Sequence, residues 1–185
     1  KFLDKQGGPA GYMLLLQVDD LDAAKTRVEA ANVRVVMEAP ERSYHGITGS
    51  AVHLHPGDTG GVLTSLDWME DWDSWAWGGQ AWPWHQRTDV VSGIVGAEVT
   101  CANPSKIAQR FAEFIGRSID ANGRMELDES YINFVQGEPD PTHNNDPDQI
   151  QLHLQSDPTK LFSKWSEDAR GSIGEKILDK VVQSF

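Results

Sequence analysis

The chain has 185 residues, of which 39% are hydrophobic, and its 16 Lys and Arg against 28 Asp and Glu give a formal net charge of −12. This length can bury the core of one domain or of two joined halves, and the acidic balance excludes nucleic acid as an expected partner because a polyanion would be repelled. With a single cysteine, Cys101, the chain cannot form an internal disulfide. No apolar run approaches the roughly 18 residues that a membrane span needs. We therefore expect a soluble, cytoplasmic protein with no membrane partner.

Residues 1–67 are predicted to form a first unit with the element order β, α, β, β, β. An apolar run over 12–18 predicts a buried strand, and Asp19 and Asp20 after it predict a helix N-cap. Helical spacing of apolar residues continues to Ala31, and Asn32 is expected to end the helix in a left-handed backbone conformation. Further strands are predicted over 33–37, 50–55 and 62–66, with a loop over 40–49 and a turn over 58–61.

Residues 68–92 are predicted to form a tryptophan-rich connector. Six of the seven tryptophans lie between Asp67 and Arg87, among glycines, a proline and several acidic residues. One interpretation is that these rings cover core between the units, because tryptophan brings a large apolar area. The other is an aromatic wall or lid over a ligand, in which Trp75 and Trp77 bind a cationic or flat polar molecule.

Residues 93–147 are predicted to form a second βα unit. An alternating strand begins near Ile94, Asn103 caps a helix with Pro104 at its first position, and Gly116 ends it. Short strands are predicted over 124–128 and 131–136. Residues 148–185 are predicted to hold a partial third strand-helix unit, because Asp157 and Pro158 follow an alternating strand as Asn103 and Pro104 do.

Several short motifs of the first unit resemble those of a known family. They are the Phe-Leu-Asp-Lys-Gln-Gly run at 2–7, the Val-Asp-Asp-Leu-Asp-Ala-Ala run at 18–24, Leu-His-Pro at 54–56 and Asp-Thr-Gly-Gly-Val-Leu at 58–63. In this order they resemble the second half of methylmalonyl-CoA epimerase, a metal-dependent family of the vicinal oxygen chelate superfamily, which also holds glyoxalases, bleomycin-resistance proteins and dioxygenases. The resemblance covers residues 1–66.

The resemblance implies an α+β fold of repeated βαβββ modules whose curved mixed sheets form an open cup, with helices on the outside. It also implies metal ligands at positions that hold Met13 and Ser65 here, and Gly96 in the second unit. A thioether, a hydroxyl and a glycine are poor ligands for a hard divalent metal. We therefore expect no metal site and no cofactor, and a divalent metal only if the site is rearranged.

The alternation of side chains along each strand separates the face that packs on the helices from the face that lines the cup, which we call the cup face. The ligand-binding candidates on it, or next to it in the connector, are Met13, Gln17, Ser65, Thr100, Trp75, Trp77 and His153. The catalytic candidates are Glu98, a carboxylate among apolar neighbours, and His53 with His55, two imidazoles two residues apart. The alternative for Glu98 is an ion pair with an arginine, and the alternative for the histidines is an ordinary structural or solvent-facing role.

Three functions remain open. The leading hypothesis is a glyoxalase-like protein that binds a small molecule in the cup without the usual metal. The alternatives are a metal-dependent lyase or isomerase with a rearranged metal site, and a non-catalytic protein-interaction domain that uses the tryptophan-rich connector. Because unpaired sheet edges and bare apolar faces favour pairing, we also expect a homodimer or close packing of the first and second units.

Overall fold

The structure, a computed structural model, describes residues 11–86 and 93–137 and the backbone of 151–156. It confirms a mixed α+β fold. The first unit contains β1 (Leu14–Gln17), α1 (Leu21–Ala30), β2 (Val35–Tyr44), β3 (Ile47–Leu54) and β4 (Thr64–Met69). The second contains β5 (Ile94–Cys101), α2 (Pro104–Ile115), β6 (Arg124–Glu126), β7 (Tyr131–Gln136) and β8 (Gln151–Ser156). No helix within these described residues is long and apolar enough to cross a membrane.

Each unit has its own four-stranded mixed sheet. In the first, the strand order is β1-β4-β3-β2, and β1 is parallel to β4. In the second, the order is β6-β7-β5-β8, where β5 is parallel to β7 and antiparallel to β8. The first strand of the first unit, β1, is therefore an edge strand, whereas the first strand of the second unit, β5, is an interior strand. The strand at 151–156 belongs to the second sheet, and the helix expected after it lies outside the described residues.

Both helices begin and end where the sequence predicts. The Asp20 side chain accepts a hydrogen bond from the Ala23 N–H at 2.8 Å, and Asn32 adopts a left-handed φ of 52° after the last turn of α1. The Asn103 side chain accepts from the Lys106 N–H at 3.1 Å, and Gly116 ends α2 with a φ of 80°. Such caps satisfy backbone groups that the helix itself leaves unpaired.

The loop predicted over 40–49 is wrong. β2 and β3 form a hairpin joined by a two-residue turn at His45 and Gly46, both of which have positive φ values as tight hairpins of this kind require. Pro40 lies at an irregularity in the pairing between Ala39 and Arg42, on an edge strand, where its missing N–H breaks no ladder.

The two units share one hydrophobic core. α1 buries Ala24 and Val28 against the first sheet, and α2 buries Phe111 and Phe114 against the second. The helices contact each other, so these residues belong to one continuous cluster. Gly60 of the first unit lies against Ile107 of α2, and an added Cβ there would stand 2.4 Å from the isoleucine Cδ1.

Candidate functional site

The cup face of the first sheet carries a buried carboxylate, Asp67. It is 4% exposed and shares this face with Ser65, which precedes it by two residues on β4. The Ser65 hydroxyl donates to Asp67 Oδ1 at 2.5 Å, and the indole N–H of Trp77 donates to the same carboxylate. Burial raises the pKa of Asp67 to about 6, and the two hydrogen bonds offset part of that rise.

The tryptophan-rich connector covers this face. Ala76, which is buried, lies in a short 3-10 helix (Ala76–Gly78), and its N–H points to the Met69 sulfur at 3.5 Å. Trp77 meets the Tyr44 ring edge-on, with centroids 4.6 Å apart. Gly49 on β3 leaves room for this cover, because an added Cβ would meet the Met69 sulfur at 2.7 Å. The side chains of the connector therefore fill the cup face around Asp67.

Several predicted ligand residues come together here. Gln17 is the register partner of Asp67, and its Nε2 donates to the Trp72 carbonyl at 2.8 Å. Ser65 is fully buried, and Trp75 and Trp77 are half-buried. Met13 precedes β1 and is also half-buried.

The two predicted catalytic histidines have different surroundings. His53 lies on the cup face opposite Ser65 and is half-buried, which lowers its pKa. His55 follows the end of β3, where its Nδ1 accepts from the Gly57 N–H at 3.0 Å and so caps a turn. Beside it, Arg34 holds the pKa of Asp58 well below its usual range through hydrogen bonds. His55 thus belongs to a turn that the chain builds for itself.

The remaining candidates lie on the second sheet, away from Asp67. Glu98 and Thr100 are half-exposed on the face opposite α2, and the backbone of His153 is the register partner of Glu98. Gly96 is buried on this face because the Tyr131 ring lies over it, 2.8 Å from where a Cβ would stand. Arg124 in turn stacks over that ring at 3.6 Å.

A cleft of about 300 Å³ lies where the two units meet. Its apolar lining comes mainly from β1, β4, the end of α2 and the loop between β6 and β7, and includes Leu15, Leu16, Leu66, Phe114, Ile115 and Leu127. Trp72 and Leu15, which are 44% and 45% exposed, stand at its mouth. Polar groups at the cleft include Gln17 and Arg27, together with Arg117, whose Nη2 contacts both oxygens of Asp128 at 2.8 and 2.9 Å.

A second cavity, of about 340 Å³, lies at the start of α1. Most of its charged groups are carboxylates, and the Lys25 ammonium forms an ion pair with Glu38 there. Among the residues that the structure describes, no group of three or more His, Cys, Asp or Glu side chains is placed to hold a metal ion.

Two residues of these sites were absent from the sequence-based candidates. Asp67 could have been found, because alternation along β4 puts it on the same face as Ser65, although the end of that strand was predicted one residue before it. Arg27 follows Ala24 by one helical turn and precedes Val28, so it borders the buried stripe of α1. The cleft that it lines depends on how two distant units pack, which no local pattern contains.

No family model matches this chain, and no curated protein matches it. Among solved structures, the chain is similar to the crystal structure of a hypothetical protein from Staphylococcus aureus. The identity is 16%, the TM-score is 0.49, and the match covers 68% of this chain and 52% of that one. The chain thus spans about half the length of that protein.

Proposed function

We propose that this chain is a small-molecule-binding protein of the vicinal oxygen chelate superfamily, and that it holds its ligand in the cleft between the two units without the metal that the superfamily uses. The observation that carries the proposal is the cleft itself, a cavity of about 300 Å³ with an apolar floor and polar groups at its rim. Small-molecule sites combine these features and often occur where structural units meet. The volume suits a ligand at the lower end of the usual size range.

The side chains that fill the cup face favour a ligand site beside the cup rather than in it. Ser65, which stands where the family resemblance implies a metal ligand, is fully buried, and Trp77 covers its neighbour Asp67. A ligand under the connector would have to displace these contacts. A ligand in the cleft would instead meet Gln17 and Trp72, which join the connector to β1.

The test uses tryptophan fluorescence and thermal stability with a broad panel of small metabolites. At least one compound should quench fluorescence saturably and raise the melting temperature. Trp72→Ala should weaken its binding by about tenfold or more, because an aromatic wall contributes a large contact area. Trp84→Ala is the matched control, since Trp84 is 77% exposed and does not line the cleft.

Two other outcomes would favour the alternatives. Loss of binding to a protein partner on Trp84→Ala, with no panel compound bound, would favour the protein-interaction domain. One divalent ion per chain after purification without chelator, lost on His53→Ala, would favour the metal-dependent lyase or isomerase.

A further inference from the structure

Arg27 differs from the other arginines that the structure describes. Arg34, Arg117 and Arg124 form ion pairs with carboxylates, Arg110 binds three main-chain carbonyls and Glu113, and Arg42 stacks over the Tyr44 ring. Within the described residues, the guanidinium of Arg27 has no hydrogen bond and no ion pair, and its Nε is buried without a partner. It lines the cleft between the units.

The position of this side chain is set by a glycine. Gly116, which ends α2, would place an added Cβ 2.8 Å from Arg27 Cδ and 3.1 Å from Nε. The aliphatic stem of Arg27 therefore lies across the end of α2, between the two units. The Nε is buried in this contact without an acceptor, while the side chain as a whole lines the cleft.

We propose that the cleft binds a small carboxylate with an apolar body, and that Arg27 binds the carboxylate group. This inference rests on the proposed function. A guanidinium presents a planar fork of donors that matches the two oxygens of a carboxylate. The buried Leu66 and Phe114 supply a floor for the apolar body.

The other charges of the cleft do not cancel this preference. Asp128 is already paired with Arg117, and Asp19 and Glu129 are exposed to solvent. Solvent weakens the repulsion from such exposed charges, because two unit charges interact far less strongly in water than in the protein interior. Contacts with the part of Arg27 that lines the cleft act at short range and in a less polar medium, so they dominate once the ligand is bound.

The experiment compares three probes of similar shape and different charge, namely phenylacetate, phenylacetamide and phenethylamine. Affinity is measured by tryptophan fluorescence and calorimetry for the full chain. Phenylacetate should bind most tightly. Arg27→Met should weaken its binding by about tenfold or more, as loss of a charged hydrogen-bond donor does, and should leave phenylacetamide within about twofold of its original affinity.

Arg42→Met is the control for loss of one positive charge, because β2 is the strand of the first sheet furthest from β1 and the cleft. It should leave phenylacetate binding unchanged. Arg27→Lys keeps the charge without the fork and serves if the methionine variant does not fold. It should give an affinity between those of the wild-type chain and Arg27→Met.

Several results would overturn the inference. Equal binding of phenylacetate and phenylacetamide, unaffected at Arg27, would leave the cleft a ligand site without an anion preference. Tightest binding of phenethylamine would show that the acidic residues, and not Arg27, determine the charge preference of the cleft. If Arg27→Met lowers the melting temperature without changing phenylacetate affinity, Arg27 merely supports the end of α2. If none of the three probes binds while a panel compound does, the proposed function survives and the carboxylate preference falls.

Discussion

Asp67 is a carboxylate that the fold holds in an unfavourable environment. It is almost fully buried beneath Trp77, and both of its identified partners are neutral donors. Neutral donors stabilise an ionised carboxylate less than a cation does, so burial dominates and the pKa rises to about 6. The ionised form is therefore less stable in the folded protein than in the unfolded chain.

Asp67→Asn should make the stability of the protein less dependent on pH. From the ordinary value of 3.8 up to about 6, the unfolded chain loses this proton while the folded chain keeps it. The wild type should therefore lose stability relative to the variant as pH rises through this window, by about 3 kcal/mol in total. Below the window the difference is constant, because both states are protonated. Denaturant unfolding of the wild type and the variant at pH 4, 5, 6 and 7 measures this difference in the free energy of unfolding.

Ser65→Ala provides the comparison for this prediction. It removes a hydrogen bond that lowers the pKa of Asp67. The upper end of the window should consequently move above pH 6. Parallel pH profiles for the wild type and Asp67→Asn would contradict the assignment of a raised pKa.

At the scale of elements, α2 is tied to the first unit by Arg110. Its Nε donates to the Asp58 carbonyl at 2.7 Å, and its Nη1 donates to the Ala31 carbonyl at 2.7 Å. Both carbonyls lie at chain reversals of the first unit, one just after α1 and one before β4. Glu113 accepts a further bond at 2.8 Å and keeps the guanidinium in place. One side chain thus fixes two turns against a helix.

Arg110→Met should lower the free energy of unfolding by about 2–4 kcal/mol, because it removes several hydrogen bonds from a charged donor and leaves partly buried carbonyls without them. Arg117→Met is the control. Arg117 pairs with Asp128 at the surface, where an ion pair contributes about 0–1 kcal/mol. Chemical denaturation at pH 7 compares the two variants. Equal losses in the free energy of unfolding would show that the contacts of Arg110 stabilise the protein no more than a surface ion pair does.

The elements that sequence patterns predicted well are those with local causes. α2 follows from the Asn103 cap, the apolar stripe and Gly116, which lie within 14 residues of one another. The hairpin of β2 and β3 was missed because Pro40 normally interrupts strands and because a His-Gly turn is a weak signal. Pairing irregularities on an edge strand make that proline acceptable, and such irregularities are set by the partner strand.

At the scale of the molecule, the same element order leads to two different sheets. β1 lies at an edge and β5 lies inside its sheet, although each is followed by a capped helix. Alternation predicts which side chains share a face but not which strands are neighbours. For this reason the cup-face residues of the first sheet could be grouped from sequence, whereas the cleft between the units could not.

The shared core predicts that the two units unfold together. Phe111 and Phe114 of α2 belong to the same buried cluster as Val28 and Leu66 of the first unit, so neither unit can lose its structure without exposing apolar surface of the other. Six of the seven tryptophans lie in the connector, so fluorescence mainly follows the cover of the first sheet. Far-UV circular dichroism follows the secondary structure of both units.

We expect the denaturation curves from these two signals to coincide in midpoint and slope. Ile107→Ala, which removes the contact between α2 and Gly60, should shift both curves to lower denaturant together, by an amount that corresponds to about 2–5 kcal/mol. Leu15→Ala is the comparison, since this side chain is half-exposed and its truncation should cost less. A fluorescence midpoint that departs from the dichroism midpoint would mean that the units unfold separately, and that the core between them is too weak to hold the cleft in a fixed shape.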